Sequence, residues 1–288
     1  MERASLRGRL SVLLLTLLAA GFLGATLVRF GPGFGIDERE LDPRLRAGSV
    51  AALRRSHSED RNLPVFYLHY LTGLLSGDLG VSRSLERPVT ELLKERFPLT
   101  LCNVAAGLLA GWLCGLSLAV LTHFLRIPAF DLFSTIGTGI FLCVPAAVLA
   151  LIFLYWRAPA ALCIAAVIFP RVFRYARNLF LEASGRDHVI TARAKGLGKI
   201  RILTWHILPS ITPELVALFG VSLSTAFTAA IPVEAICDSP GIGQLAWQAA
   251  LARDLPLLTN LTLIVTAVTL FGNFFSGSTA TEPGSAAV

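Results

Sequence analysis

The sequence predicts an all-α, polytopic membrane protein with six transmembrane helices. Of its 288 residues 54% are hydrophobic and only 15% are charged, and the mean hydropathy is +0.67. This leaves too little polar surface for a soluble protein of this length. A transmembrane helix needs about 20 mainly apolar residues. Five runs without a charged side chain meet that requirement: Leu10–Val28, Leu99–Thr122, Leu132–Trp156, Leu215–Val233 and Leu255–Ser276.

A sixth span is predicted over Ala158–Pro170, which is shorter and lies between Arg157 and Arg171. It crosses the bilayer only if the helix continues past Arg171 and Arg174, whose long side chains reach to the interface. A re-entrant hairpin is the alternative. We favour crossing, because an odd number of spans would place the N-terminus and the basic loop 182–211 on opposite sides of the membrane.

The distribution of cations predicts that the N-terminus faces the cytoplasm from a plasma (inner) membrane, because lysine and arginine near span ends mark that side. Arg3, Arg7 and Arg9 precede the first span. We interpret this span as an uncleaved signal anchor, since its uncharged run is longer than the core of a normal signal peptide. Membrane orientation accounts for the net charge of +6 without nucleic acid. The stretch that follows the fourth predicted span and includes the basic loop carries eight cations: Arg171, Arg174, Arg177, Arg186, Arg193, Lys195, Lys199 and Arg201.

Polarity divides the chain into four parts. Residues 1–30 are the cytoplasmic N-terminus and first span, and 31–98 form an extracytoplasmic segment. Residues 99–276 are a five-helix core with the cytoplasmic loop 182–211, and 277–288 are a disordered, low-complexity tail.

In the extracytoplasmic segment 31–98, apolar side chains at helical spacing predict an amphipathic helix on the membrane surface or a neighbouring subunit. They are Leu63, Phe66, Tyr67, Tyr70, Leu71 and Leu74.

Gly107, Gly111 and Gly115 repeat the G-x-x-x-G spacing within the second span. Glycines at this spacing let two helix backbones approach closely, so they predict a helix-packing face. Generic packing of small residues is an equally good interpretation.

The sequence predicts no enzyme, no metal site and no cofactor. Gly196–Lys199 reads GLGK, but Arg193 and Ile200 stand where a phosphate-binding loop needs a glycine and a hydroxyl residue. The five cysteines and five histidines lack ligand spacing. Glu234, at one end of the fifth span, is interpreted as an interfacial charge in preference to a functional one.

The loop 182–211 is predicted to fold as a helix, a glycine turn and a second helix. Asp187 is expected to cap the first helix, and Gly196 to end it in a left-handed conformation. Ile200, Leu203 and Ile207 would share one side of the second helix. Such an amphipathic knob suits either anionic lipid or a groove on a partner protein.

The spacing of this loop resembles the ATPase-coupling loop of ABC importer permeases, in which a fixed glycine precedes a Leu-Pro pair. Ala192 lies four residues before Gly196, and Leu208 and Pro209 lie twelve and thirteen after it. The stretch DHVITARAKGL resembles the dipeptide/oligopeptide/nickel branch of that family. Further stretches similar to this branch follow in order: Arg29–Gly33, Gly77–Gly80, Arg87–Leu101, Pro232–Leu245 and Arg253–Pro256.

The resemblance implies a type I ABC importer permease fold and a role as the membrane-spanning subunit for peptides or similar small solutes. It implies four kinds of partner: two cytoplasmic ATP-binding subunits that bind the ATP, a second homologous permease, an extracytoplasmic substrate-binding protein and membrane lipids. Coupling residues would be Asp187, Thr191, Ala192, Arg193, Ala194, Lys195, Gly196, Leu197, Leu208 and Pro209. Ala192 and Ala194 would keep the docking face small.

Two features depart from this branch: the outer loop between the third and fourth spans is cut to Arg157–Pro159, and no basic tail follows the last span. The alternative function is a non-transporting or degenerate membrane protein whose basic loop binds anionic lipid. A secondary transporter is disfavoured, because the five secure spans hold no charged residue for coupling.

Overall fold

A computed structural model describes residues 8, 12, 15–23, 26, 72–73, 77–125 and 127–279. The chain divides into two compact units, one of Met1–Phe97 with Leu245–Ala267 and one of Pro98–Gln244 with Val268–Val288. The predicted amphipathic helix around Leu63–Leu74 and the stretch Arg29–Gly33 lie outside the described residues, apart from the helical residues 72 and 73.

The described part of the chain is helical, with one isolated bridge between Val81 and Pro88 instead of any strand. Residues 15–23, within the first predicted span, are helical. The helices that follow are α1 (Val89–Leu125), α2 (Pro128–Cys143), α3 (Ala146–Tyr155), α4 (Ala160–Ser184), α5 (Asp187–Ala194), α6 (Lys199–Ile202), a π-helical turn (Leu203–Ile207), α7 (Leu208–Ile236), α8 (Ile242–Leu251) and α9 (Leu255–Thr279).

Within the described residues, three helical stretches are long and apolar enough to cross a membrane: Val89–Leu125, Lys199–Ile236 and Leu255–Asn273. The bent pair α2 and α3 would make a fourth. The all-α membrane class is therefore confirmed, and the count of six spans stays a prediction. α9 continues through Thr279, into the segment predicted as a disordered tail.

The third predicted span, Leu132–Trp156, consists of two helices instead of one continuous helix, and its crossing of the membrane stays a prediction. α2 ends at Cys143, α3 begins at Ala146, and the two helices make an angle of 100°. The cause lies at Val144 and Pro145. Proline lacks an amide hydrogen and disfavours helical backbone in the residue before it, and Val144 has extended angles of φ −85° and ψ 122°.

The fourth helix does continue past Arg171 and Arg174, as crossing requires. α4 has 25 residues, which gives a length of about 37 Å at 1.5 Å per residue. It contacts α2, α3 and α7. One apolar cluster, which includes Ile164 and Ile168, surrounds its first half, and a second, which includes Phe173 and Phe180, surrounds its second half.

The glycine ridge of α1 packs against α4. A β-carbon added to Gly107, Gly111 or Gly115 would lie 2.7–2.9 Å from the nearest side-chain atom of α4. Real β-carbons are essentially never that close to another heavy atom. The opposing side chains, one helical turn apart, are Ile164, Ile168 and Val172.

Candidate functional site

The loop 182–211 is built as two short helices that meet at Gly196. α5 ends in a Schellman motif, in which the amide of Gly196 donates to the Arg193 carbonyl at 3.0 Å and the amide of Leu197 to the Ala192 carbonyl at 3.3 Å. Gly196 has φ +77°, in the left-handed region that favours glycine. The glycine turn predicted from the sequence is confirmed.

The start of α5 differs from the prediction. The residue at the N-cap is Arg186, with φ −69° and ψ 142°, and no side chain caps this helix. Asp187 is the first helical residue, so its predicted role as the cap is wrong. Its carboxylate still lies in the first turn, where negative charge stabilises the helix dipole.

The inner side of the loop is apolar and closely packed. Val189 and Ala192 of α5 are buried against residues from α6, the π-helical turn and the end of α4. Ala192 therefore faces inward, and its predicted place on a docking face is wrong. The buried residues of the second half of the loop are Ile202, Leu203, Ile207 and Ile211.

Ile200 was expected on the same side as Leu203 and Ile207, but it is 71% exposed. The π-helical turn accounts for this difference, because its wider turn rotates the side chains before and after it relative to an α-helix. Trp205, within that turn, is 75% exposed and was not identified from the sequence. Its only sequence signal is an aromatic residue beside cations.

The outer side of the loop is basic and apolar. An open depression of about 1060 Å³ is lined by Phe124, Ile200, Thr204 and Trp205 together with Gly198, Lys199 and Arg201. Of the predicted coupling residues, those exposed on this loop are Asp187, Thr191, Arg193, Ala194, Lys195, Gly196 and Pro209, while Leu197 and Leu208 are half-buried. We call the surface formed by this depression and these exposed coupling residues the knob face.

Arg186 joins the two ends of the loop. Its Nη1 donates to the carbonyl oxygen of Ser210 at 3.0 Å, and its Nη2 donates to Glu182 at 3.3 Å and lies 3.9 Å from Glu214. Sequence reasoning counted Arg186 only as one cation among eight. The bridge makes the loop a closed unit anchored on the ends of α4 and α7.

The second half of the loop runs directly into α7. Lys199–Ile236 is one helical stretch of 38 residues, including the π-helical turn. At the far end of this stretch lies Glu234, which is 0% exposed. The knob face and this buried carboxylate are therefore carried by the same continuous helix.

Glu234 is held by neutral donors. Its Oε2 accepts from the Thr100 hydroxyl at 2.8 Å and the Gly243 amide at 2.9 Å, and its Oε1 accepts from Asn103 Nδ2 at 3.1 Å. The Ile242 amide in turn donates to Thr100 Oγ1 at 2.7 Å. The interfacial interpretation of Glu234 is wrong, because this carboxylate joins α7, α1 and the start of α8 in the interior.

This carboxylate explains the glycines in the stretch SPGIG. A β-carbon on Gly241 would collide with the Glu234 carboxylate, and one on Gly243 would lie 2.6 Å from the Ile231 carbonyl oxygen. Glycine is required at both positions because the chain packs directly on α7. The contacts of Glu234 with Thr100 and Asn103 join residues more than 130 positions apart, so the sequence alone did not indicate them.

Asp254, in the other unit, is a second buried carboxylate that the sequence did not single out. Its Oδ2 accepts from the Ser82 hydroxyl at 2.6 Å and from the amide and hydroxyl of Ser84 at 2.9 Å. Its Oδ1 accepts from the Leu257 amide at 3.1 Å and so caps α9. The two stretches around Gly77–Gly80 and Arg253–Pro256 therefore lie side by side.

The described residues offer an exposed basic and apolar surface and buried structural carboxylates. Among them no group of three or more histidine, cysteine or acidic side chains could hold a metal ion. An exposed surface that combines apolar side chains with cations is suited to binding a partner with an acidic rim.

Comparison with known proteins is consistent with this arrangement. The chain matches the family of binding-protein-dependent transport system inner membrane components over residues 107–280, a range that contains the knob face and Glu234. A protein that carries the name of a peptide permease in Brucella suis biovar 1 is 28% identical, with 93% of each chain covered.

Two further relatives are permease proteins of named transport systems. The dipeptide transport system permease protein of Escherichia coli strain K12 is 25% identical, over 90% of this chain and 92% of its own. The glutathione transport system permease protein of Pectobacterium atrosepticum is 29% identical, over 85% of each chain. The family match covers more than half of this sequence, so the chain belongs to the binding-protein-dependent transport system inner membrane components.

Proposed function

We propose that this chain is the membrane-spanning permease subunit of an ATP-driven peptide importer, and that the knob face docks on cytoplasmic ATPases. The observation that carries the proposal is the continuity between this face and α7. A loop closed by Arg186 and packed on α4 presents Ile200 and Trp205 to solvent, and its second half continues without a break to Glu234.

In this mechanism, the ATPases move the loop as one body. The buried residues Val189, Ala192 and Ile207 hold its two halves together, so a force on the knob face is transmitted to α4 and α7. Closure of the ATPases on ATP would then favour one of two packed states of the spans, because a ligand shifts a conformational equilibrium by its differential affinity.

Four kinds of partner follow from this function. They are two cytoplasmic ATP-binding subunits, a second homologous permease, a substrate-binding protein on the other side of the membrane and the membrane lipids. The names of the peptide, dipeptide and glutathione relatives support peptides as cargo. The ATP is bound by the partner subunits, and this chain supplies no catalytic group.

The knob face lies in the cytoplasm in this proposal, and the segment between α7 and α8 lies outside. The orientation is tested in a cysteine-free variant that carries one new cysteine, at Lys199 or at Pro240, both of which are exposed. An impermeant maleimide added to intact cells should label Pro240→Cys and leave Lys199→Cys unlabelled. The reverse labelling pattern would contradict the orientation and the docking site.

Docking itself is tested by co-purification with the ATP-binding subunits from the same genome. Replacing Trp205 by alanine removes a large exposed anchor, and aromatic anchors dominate many interfaces. We expect Trp205→Ala to lose at least about 2 kcal/mol of binding, which is roughly thirtyfold in affinity. Trp156→Ala, at the equally exposed end of α3, is the matched control and should retain the ATPases.

The alternative of a lipid-binding loop gives a different result. If the loop bound lipid instead, Trp205→Ala would not reduce co-purification of the ATP-binding subunits. Its binding to anionic vesicles would instead fall when Arg193, Lys195 and Lys199 are neutralised, by about 1 kcal/mol per charge. Vesicle binding with no ATPase association would contradict the permease proposal.

A further inference from the structure

One face of α4 carries cations and polar groups in a helical stripe. Arg171, Arg174, Tyr175 and Asn178 follow the i, i+3, i+4, i+7 spacing of a single helix face, and all four are exposed. The preceding residues 160–170 expose only Leu162. The stripe therefore begins near the middle of the helix and continues toward the loop.

Two contacts fix the depth of this stripe. Val172 packs against Gly115, which lies inside the charge-free run Leu99–Thr122 of α1. Arg171 Nη1 donates to the Thr225 hydroxyl at 3.1 Å. Thr225 lies near the centre of the charge-free run Leu215–Val233, about 12–15 Å from either end at 1.5 Å per residue. Arg171 therefore lies within the hydrocarbon depth of the neighbouring spans.

A guanidinium at this depth is strongly disfavoured against lipid tails, so it must face protein or a water-filled cavity. The neighbouring face of α7 is also polar at this level. Thr225 is half-buried and Thr228, about one turn further along, is exposed. Arginine on α4 and hydroxyls on α7 thus form one polar surface at mid-membrane depth.

This surface is positive without a described acidic partner. Two residues of α4 nearer the loop do form ion pairs: Arg177 with Asp131, and Glu182 with Arg186. Arg171 bonds to a neutral hydroxyl, and within the described residues no ion pair involves Arg174. Two guanidiniums one turn apart can bind one carboxylate, and they do so more strongly where the dielectric constant is low.

We propose that this stripe lines the translocation path and binds the carboxylate of the cargo during passage. The inference rests on the proposed function, since peptides supply that group as their C-terminal carboxylate. Arg171 and Arg174 attract the carboxylate, and the Thr225 hydroxyl orients the Arg171 guanidinium. Tyr175 and Asn178 extend the polar surface toward the loop side.

The first test asks whether the stripe faces water in the assembled transporter. In a cysteine-free background, Tyr175→Cys and Asn178→Cys should react with a small, membrane-impermeant anionic thiol reagent, which the neighbouring arginines attract. The matched control is Leu109→Cys on α1, because Leu109 is 63% exposed but lies on an apolar face. It should stay unreactive. If Tyr175→Cys is as unreactive as Leu109→Cys, the proposal is overturned.

The second test measures ATP-driven uptake of dialanine and of dialanine amide by the transporter in proteoliposomes. Arg171→Gln and Arg174→Gln should each lower dialanine uptake by about tenfold, the effect of losing one hydrogen bond to a charged group. Uptake of the amide should fall much less, relative to wild type. Arg171→Lys should restore most of the dialanine uptake, and Arg157→Gln is the control that should leave both rates unchanged.

Three results distinguish the possible failures. Equal losses for both peptides would overturn the carboxylate site, because the arginines would then act only on structure. Loss of the second permease from the purified assembly would also overturn it, because the arginines would then pair with acidic groups of that subunit. A wild-type transporter that takes up neither peptide would contradict the proposed peptide import itself.

Discussion

Arg186 Nη1 donates a hydrogen bond to the carbonyl oxygen of Ser210 at 3.0 Å, which joins the start of α5 to the start of α7. The loop between these residues carries every predicted coupling residue. With both ends bridged, α5, α6 and the π-helical turn are constrained to move together with α4 and α7.

The first prediction concerns this bridge. Arg186→Ala removes the donor to Ser210 and the contacts with Glu182 and Glu214, so α5, the first half of the loop, should move independently of α7. We expect the ATPases to remain bound and to hydrolyse ATP, while transport per ATP falls by about tenfold or more. Arg157→Ala, at an exposed turn, is the control. Unchanged coupling in Arg186→Ala would mean that the bridge does not transmit motion.

The second prediction compares two glycines of the same loop. Gly196 has φ +77° and Gly198 has φ −64°, and an added β-carbon would meet nothing within 4 Å at either position. The space around the two residues is thus equal and only the backbone differs.

Gly196→Val should be strained by about 1–2 kcal/mol and misdirect the second half of the loop. Gly198→Val should be tolerated. Co-purification of the ATPases and transport measure the difference, and abundance in the membrane should be equal for both variants. Equal assembly and transport in the two variants would show that the left-handed turn is not needed for docking.

The third prediction tests the packing of α1 on α4. Valine at Gly111 would place its β-carbon 2.9 Å from that of Ile168 and force the helices apart. We expect a loss of about 1–3 kcal/mol in stability, measured as a lower melting temperature in detergent. Gly137→Val in α2 is the matched control, because nothing lies within 4 Å of its added β-carbon. Equal melting temperatures would contradict the close contact.

The fourth prediction concerns the buried carboxylate of Glu234. Thr100→Val removes a donor to Glu234 Oε2 and the acceptor of the Ile242 amide, so two buried groups lose a partner. The expected cost is about 1–3 kcal/mol for each such group. Thr138→Val is the control, since the hydroxyl of Thr138 donates only to carbonyls of its own helix. A Thr100→Val protein as stable as Thr138→Val would rule out this network as a stabilising joint.

Local patterns determined much of this protein. Apolar runs without charge predicted the helical spans, because a helix in lipid must satisfy its own backbone and expose apolar side chains. The spacing from Ala192 through Gly196 to Pro209 predicted the loop and its turn, since a left-handed helix end depends on one residue. Pro145 carried a local signal for the break between α2 and α3, although the run was interpreted as one span.

Only the tertiary structure decided which polar groups meet. Glu234 finds its donors at Thr100 and Asn103, more than 130 residues away, and Arg186 finds an acceptor on the far end of its loop. Arg171 was interpreted as an interfacial cation until its contact with Thr225 placed it at the depth of the apolar spans. Hydropathy and periodicity describe one helix at a time. The partner of a buried charge is set by how helices pack against each other, which no single stretch of sequence encodes.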